Sequence, residues 1–194
     1  MKKRKKLVRL VLCAIFSALI VVMTFTPNLG YITIGATISI TTIHIVAILG
    51  AAILGPSYGA GIGMVWGVLC LIKAFLEPII VNIPFQNPLI SVVPRILVGL
   101  VTGLLVTALL KTKLPKAISV GIGAFAGTLT NTVLVITALN IFNGFETITA
   151  GVTQTLETII TILISVNGII ELVAAVILVP AIYMATEKFL KNKI

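Results

Sequence analysis

The stretch PLISVVPRILVGLVTGLLVTALL, residues 88–110, decides the class of this protein. Arg95 is its only charged residue, and a helix that crosses a bilayer needs about 20 mostly apolar residues. The rest of the chain has the same character, with 194 residues, 59% of them hydrophobic and 10% charged, and a mean hydropathy of +1.23. We therefore expect an integral membrane protein that forms a single domain over residues 1–194.

Five further apolar stretches, separated by proline, glycine, asparagine or charged residues, predict an all-α bundle of six transmembrane helices. The predicted helices are Leu7–Phe25, Ser39–Leu54, Pro56–Phe75, Pro88–Leu110, Pro115–Leu139 and Asn167–Phe189. Three of them begin at a proline, where the missing N–H needs no acceptor. The threonine-rich segment Thr147–Ser165 is predicted to be a loop with a short helix.

The distribution of charge predicts the orientation of this bundle. Loops on the cytoplasmic side of a membrane carry the excess of Lys and Arg. With the N-terminus inside, twelve of the 14 basic residues fall on the inner side: Lys2, Lys3, Arg4, Lys5, Lys6, Arg9, Lys111, Lys113, Lys116, Lys188, Lys191 and Lys193. Both termini are therefore expected in the cytoplasm, and the net charge of +9 indicates contact with anionic lipid rather than with nucleic acid.

Several classes of function lack the residues that they need. No G-x-x-x-x-G-K-[ST] loop occurs, so the chain is not expected to hydrolyse ATP. Cys13 and Cys70 lie in apolar runs without metal-ligand spacing, so we expect no metal and no cofactor. The basic start followed by an apolar stretch is interpreted as a retained first helix, because it lacks a small-x-small cleavage site.

A hydrolase is a weaker alternative that depends on Ser57 alone. Gly55-Pro56-Ser57-Tyr58-Gly59 matches the G-x-S-x-G nucleophile elbow. That elbow joins a strand to a helix, whereas this segment is predicted to join two membrane helices. The chain has no aspartate, and His44 is expected ~16 Å away along its helix. We interpret the match as a tight turn and expect no enzyme.

The candidate site consists of polar side chains at membrane depth, which are costly there and usually functional. Arg95 is predicted ~11 Å and Asn131 ~13 Å below the outer surface. His44 is predicted at roughly 7 Å if its helix begins near Ser39. Asn167 and Glu171 follow one turn apart on the last helix. The alternatives are structural: Arg95 pairs only with Glu171, or the asparagines only join helices.

These residue types indicate the ligand. The guanidinium of arginine can form two parallel hydrogen bonds to a carboxylate or phosphate, and the amide of asparagine can pair with amides and hydroxyls. We therefore expect the ligand to be a small polar anion. Aromatic residues are few, which disfavours large planar ligands. The segment Thr26–Ile40, with Tyr31, is predicted to be a lid over the outer mouth.

Small residues at four-residue spacing let helices approach closely. Gly59, Gly63 and Gly67 are predicted to serve internal packing. Ala14 and Ala18 form the same pattern on the first helix, where they are expected to dock another membrane subunit.

With these features in place, the chain resembles the S components of energy-coupling factor (ECF) vitamin transporters, a branch of the ABC importers. The resemblance is carried by Ala14-x-x-x-Ala18, Thr42-Ile43-His44-Ile45, Leu54-Gly55-Pro56-x-x-Gly59 and Asn87-Pro88 followed by Pro94-Arg95-Ile96-Leu97-Val98-Gly99. The pantothenate-type members look most similar, although many relatives carry proline where this chain has Val46. Pantothenate, a small carboxylate with an amide and hydroxyls, suits Arg95 and Asn131.

The resemblance implies a multi-pass protein of the bacterial cell membrane that binds a vitamin from outside. It further implies docking on a membrane coupling subunit, driven by two cytoplasmic ATPase subunits, and toppling in the membrane to release the vitamin. Other vitamins, such as hydroxymethylpyrimidine, a pyridoxine-like compound or folate, remain alternatives. So does a self-sufficient secondary carrier driven by an ion gradient, for which Glu171 is the candidate coupling carboxylate.

Overall fold

The computed structural model describes residues 2–34, 38–80, 82–149 and 168–190. The helices of this part are α1 Lys2–Phe25, α2 Ile43–Leu54, α3 Pro56–Leu76, α4 Pro88–Ser91, α5 Val93–Leu109, α6 Lys116–Ile141, α7 Gly144–Thr149 and α8 Ile169–Leu190. The strands are β1 Tyr31–Ile34 and β2 Ile38–Thr41, and a 3₁₀ turn covers Ile83–Gln86. Helices therefore dominate the described chain, as predicted.

Five helices of the described chain are long and apolar enough to cross a membrane, with α4 and α5 acting as one span over Pro88–Leu109. The helix α2 is apolar but has 12 residues, so its length is about 18 Å against a hydrocarbon core of about 30 Å. Six apolar helices thus lie where six were predicted, and five of them meet the length of a span.

The predicted start of the second helix was wrong. Ser39 lies in β2, which pairs antiparallel with β1 in the register Tyr31↔Thr41 and Ile34↔Ile38. Six of the eight residues in these two strands are β-branched isoleucine or threonine, which favours a strand over a helix. The fold is helical as predicted, with one short β-hairpin added, and His44 becomes the second residue of α2 instead of the sixth. Of the predicted loop Thr147–Ser165, residues 150–165 lie outside the described chain.

Helices α3 and α5 pack backbone against backbone along a row of glycines. A methyl group added at Gly59 would collide with the carbonyl of Gly99, and one added at Gly63 would collide with the carbonyl of Arg95. One turn further, Gly67 meets the backbone of Val92. The predicted packing role of these glycines is confirmed, and the contact fixes α5 against α3 at the level of Arg95.

Two apolar clusters lie along the bundle. The larger includes Ile48, Trp66 and Val98, and the smaller includes Ile90 and Leu139. Along α4 and α5, Arg95 lies between Ile90 of one cluster and Val98 of the other. A polar side chain therefore interrupts the core at this level.

The two ends of the bundle differ in chemistry. At one end, Lys116 at the start of α6 forms an ion pair with Glu187 near the end of α8. We call this the lysine end, because the loop of residues 110–115 with Lys111 and Lys113 lies there. The β-hairpin precedes α2 at the opposite end, the hairpin end.

The glycine row predicts a difference between two otherwise similar substitutions. Alanine is a better helix former than glycine by about 1 kcal/mol, so Gly61→Ala, which meets open space, is expected to leave stability unchanged or raised. Gly63→Ala drives a methyl group into the Arg95 carbonyl and is expected to cost ~1–3 kcal/mol by overpacking. Thermal unfolding of both purified variants in the same detergent measures the difference. Equal stability of the two variants would contradict the tight α3–α5 contact.

Candidate functional site

Arg95 is held at a break in its own helix. Pro94 has no N–H, so the carbonyl of Ile90, four residues earlier, cannot receive the usual helical hydrogen bond from position 94. The Nη1 atom of Arg95 donates to that carbonyl instead, at 2.7 Å. The guanidinium is turned back into the bundle, where Arg95 is 7% exposed. It does not face lipid.

Two aromatic rings surround this guanidinium. The Cζ atom of Arg95 lies 5.3 Å from the ring centre of Trp66 and 5.4 Å from that of Phe85. Attraction between a cation and ring faces stabilises the charge in part, more strongly where water is excluded. The Nε atom of Arg95 is buried without a hydrogen-bond partner among the described residues, and so is Nε1 of Trp66. Two donors are therefore unpaired side by side.

The structural alternative, an ion pair between Glu171 and Arg95, does not form among the described residues. The ion pairs of the described chain are Lys73–Glu77 and Lys116–Glu187. Glu171, buried in the first turn of α8, instead accepts a hydrogen bond from the backbone N–H of Thr41 at 2.5 Å. That N–H lies just before α2, whose N-terminal dipole favours a negative charge. Glu171 attracts Arg95 only at a distance and joins the base of the hairpin to α8.

His44 and Asn131 carry further unpaired polar atoms. His44 is 1% exposed, and neither of its ring nitrogens has a hydrogen-bond partner in the part that the structure describes. The Oδ1 atom of Asn131 is likewise buried and unpartnered there. Gly127 of α6 packs against Ile48 of α2, and each of the two polar residues lies one turn from that contact towards the hairpin end. The fold thus brings both predicted residues to one region.

Tyr31 fixes the other side of the hairpin. Its hydroxyl lies 3.3 Å from Sγ of Cys70, and Nζ of Lys73 lies 4.8 Å from the centre of its ring. Lys73 also donates to the carbonyl of Thr24 at 3.2 Å. The base of the hairpin is therefore tied to α3 at Tyr31 and to α8 at Thr41.

The remaining predicted residues have simple positions. Ala14 and Ala18 lie one turn apart on an exposed face of α1. Ser57 is in the first turn of α3, at the other end of α2 from His44, so the elbow match joins two helices. Asn167 lies outside the described residues. In the described ranges, no three metal-ligating side chains cluster, and both cysteines are free.

Sequence reasoning missed Trp66 and Phe85 as neighbours of Arg95. A usable signal existed for Trp66, the only tryptophan of the chain, because it follows Gly63 by three residues and shares its helix face. Phe85 belongs to the 3₁₀ turn before Asn87-Pro88, and no local pattern indicates where such a turn will fold back.

Comparison with known proteins identifies the family. The family model described as "ECF transporter, substrate-specific component" matches residues 8–183. A protein of Leuconostoc mesenteroides named "Pantothenate transporter PanT" is 36% identical over 181 residues, which cover 89% of each chain. A protein of Lactococcus lactis named "Pantothenic acid transporter PanT" is 30% identical over 204 residues, which cover 98% of this chain and 99% of that one. This chain belongs to the family of substrate-specific components of ECF transporters.

Proposed function

We propose that this protein captures pantothenate at the outer face of a bacterial cell membrane and delivers it inward as the S component of an ECF-type importer. The observation that carries the proposal is the buried guanidinium of Arg95, which has no carboxylate within ion-pair distance among the described residues. A buried charge without a partner is strongly unfavourable. An anionic ligand supplies the missing partner.

Pantothenate has the groups that this region lacks. Its carboxylate can accept from the unpaired Nε of Arg95, and its amide and hydroxyls can pair with Asn131 and His44. The hairpin at Tyr31 then serves as the lid, because its base is attached to both α3 and α8 beside this region. Two relatives bear the name of a pantothenate transporter, which favours this vitamin over the other small vitamins.

The proposed topology has six spans with both termini in the cytoplasm. The lysine end then faces the cytoplasm, in line with the excess of basic residues there. The short α2 crosses only the inner part of the membrane, and the paired strands before it complete the passage. Arg95, Asn131 and His44 consequently lie in the outer half.

Release requires partners under this proposal. The exposed pair Ala14 and Ala18 docks on a membrane coupling subunit that two cytoplasmic ATPase subunits drive. The rival function, a self-sufficient ion-coupled carrier, needs a carboxylate that exchanges an ion. Glu171 accepts a hydrogen bond from the Thr41 N–H, which favours a structural role for Glu171 over ion exchange.

Substitution of Arg95 tests the ligand site. Arg95→Ala is expected to weaken pantothenate binding by at least ~2 kcal/mol, or about 30-fold, because a charge-assisted pair in a dry site is lost. Arg95→Lys keeps the charge without the fork, so a smaller loss is expected. Isothermal titration measures the affinities, and the fluorescence of Trp66 reports binding beside Arg95.

The exposed substitution Lys113→Ala serves as the control for the loss of a positive charge and should leave affinity unchanged. Unaltered pantothenate affinity in a folded Arg95→Ala protein would remove Arg95 from the site. Tighter binding of a pyridoxine-like compound or folate than of pantothenate would reassign the vitamin.

Reconstitution separates the proposed function from the ion-coupled carrier. Vesicles that contain this chain alone are expected to bind labelled pantothenate without accumulating it. Accumulation should begin once the coupling subunit, the ATPase subunits and ATP are added. Gradient-driven uptake by the chain alone would establish the carrier instead.

The docking face predicts a separation of binding from transport. Ala14→Trp and Ala18→Trp place a bulky ring on an exposed face of α1, whereas Arg95 is buried, so they are expected to preserve pantothenate affinity and to abolish uptake by the complete importer. Met64→Trp is the matched control, because Met64 is also exposed but lies on α3. Uptake at the unsubstituted rate in both alanine variants would exclude this face as the docking site.

A further inference from the structure

The surface between α6 and α8 carries an apolar groove that the proposed function does not use. On α6 it is lined by Ala117, Gly121 and Phe125, which follow one another at intervals of one turn. On α8 it is lined by Val176 and Pro180. The two helices come close at Gly121, where the ring of Pro180 lies 3.7 Å from the place that a Cβ would take.

The length and position of the groove suit a hydrocarbon chain. From residue 117 to residue 125 the helix rises about 12 Å, close to the ~15 Å hydrocarbon depth of one leaflet. One end of the groove adjoins Lys116 at the lysine end, and the other points towards the middle of the bundle. It therefore runs in the direction of an acyl chain that enters from that interface.

The lysine end of the groove has an excess of positive charge. Lys116 forms its ion pair with Glu187, and Tyr183 lies beside the same pair. The exposed Lys111 and Lys113 of the preceding loop add two further cations against that single carboxylate. Lysine and tyrosine at this depth are typical of contacts with lipid headgroups.

The size of the groove argues against a protein occupant. Seven residues line it, whereas a stable protein interface takes about 20–30 residues on each side. Its lining is almost wholly apolar, so a free polar metabolite would gain no hydrogen bonds there. A single acyl chain fits both constraints.

We infer that the groove between α6 and α8 is a binding site for one anionic glycerophospholipid, with an acyl chain along Gly121 and the headgroup at Lys113 and Lys116. This site is separate from the region around Arg95 and does not depend on which vitamin is bound. Because α8 also carries Glu171, a lipid seated here contacts the helix that anchors the hairpin.

A photoreactive lipid tests this site on the full-length protein. The protein is placed in nanodiscs of phosphatidylcholine with phosphatidylglycerol that bears a diazirine on its acyl chain. After irradiation, labelled peptides are identified by mass spectrometry. Labelling is expected at residues 117–125 and 176–180. Labelling should fall about fivefold when phosphatidylcholine carries the diazirine instead. The double variant Lys113→Gln, Lys116→Gln should show a similar fall. A fivefold change corresponds to the contribution of about one lysine at a charged surface.

The matched pair Gly121→Leu and Gly61→Leu tests the groove itself. Both add one side chain to a helical glycine without a steric clash at Cβ, which would meet nothing at Gly61 and would touch Pro180 at 3.7 Å at Gly121, but only Gly121 lies in the groove. Gly121→Leu is expected to reduce labelling about tenfold, the effect of roughly two buried methylene groups, whereas Gly61→Leu should not reduce it. Thermal stability and pantothenate binding verify that both variants are folded.

Three outcomes would overturn the inference. Equal labelling of Gly121→Leu and the unsubstituted protein would show that the groove holds no lipid. Equal labelling by the two headgroups would remove the anionic selectivity. The third outcome concerns a protein partner. If the coupling subunit or excess unlabelled protein abolished labelling, and if Gly121→Leu weakened the binding of that protein, the groove would be assigned to a protein partner.

Discussion

The backbone contact between α3 and α5 determines where the functional side chains lie. Helices whose interface is lined by glycine approach until carbonyl groups meet the opposite backbone, as Gly63 does at Arg95. When the two backbones are this close, a large side chain next to the glycine row on one helix contacts side chains of the other helix directly. Trp66 is such a residue, and its ring consequently lies against the guanidinium of Arg95. A larger residue at position 63 would separate the tryptophan from the cation.

The energetic state of Arg95 follows from this packing. One Nη1 hydrogen bond to Ile90 and two aromatic rings compensate the charge in part. The bond to Ile90 is available only because Pro94 leaves that carbonyl without its usual donor. Fixed in this way, the side chain would lose little conformational entropy on binding the anion proposed for it, which would favour affinity. The protein thus holds a preorganised cation whose buried Nε–H has no acceptor among the described residues.

Much of this arrangement could be predicted from the sequence because lipid simplifies the rules. Long apolar stretches must be helices, and a charge within one is rarely incidental, so Arg95 and Asn131 were recognisable as candidates. The start of the second helix was mispredicted, because residues 38–41 are as apolar as a helix and only their pairing with β1 makes them a strand. The partner of Glu171 was also unpredictable, since the Thr41 N–H becomes available only once that hairpin forms.

The hairpin explains why a non-helical segment can lie at the mouth of a membrane bundle. Backbone groups away from water must be paired, and a strand pair satisfies those on its inner edges. The Thr41 N–H lies where β2 gives way to α2, and the carboxylate of Glu171 satisfies it. The same carboxylate therefore holds the segment that carries Tyr31 and stays out of contact with Arg95, which is left without an ion-pair partner among the described residues.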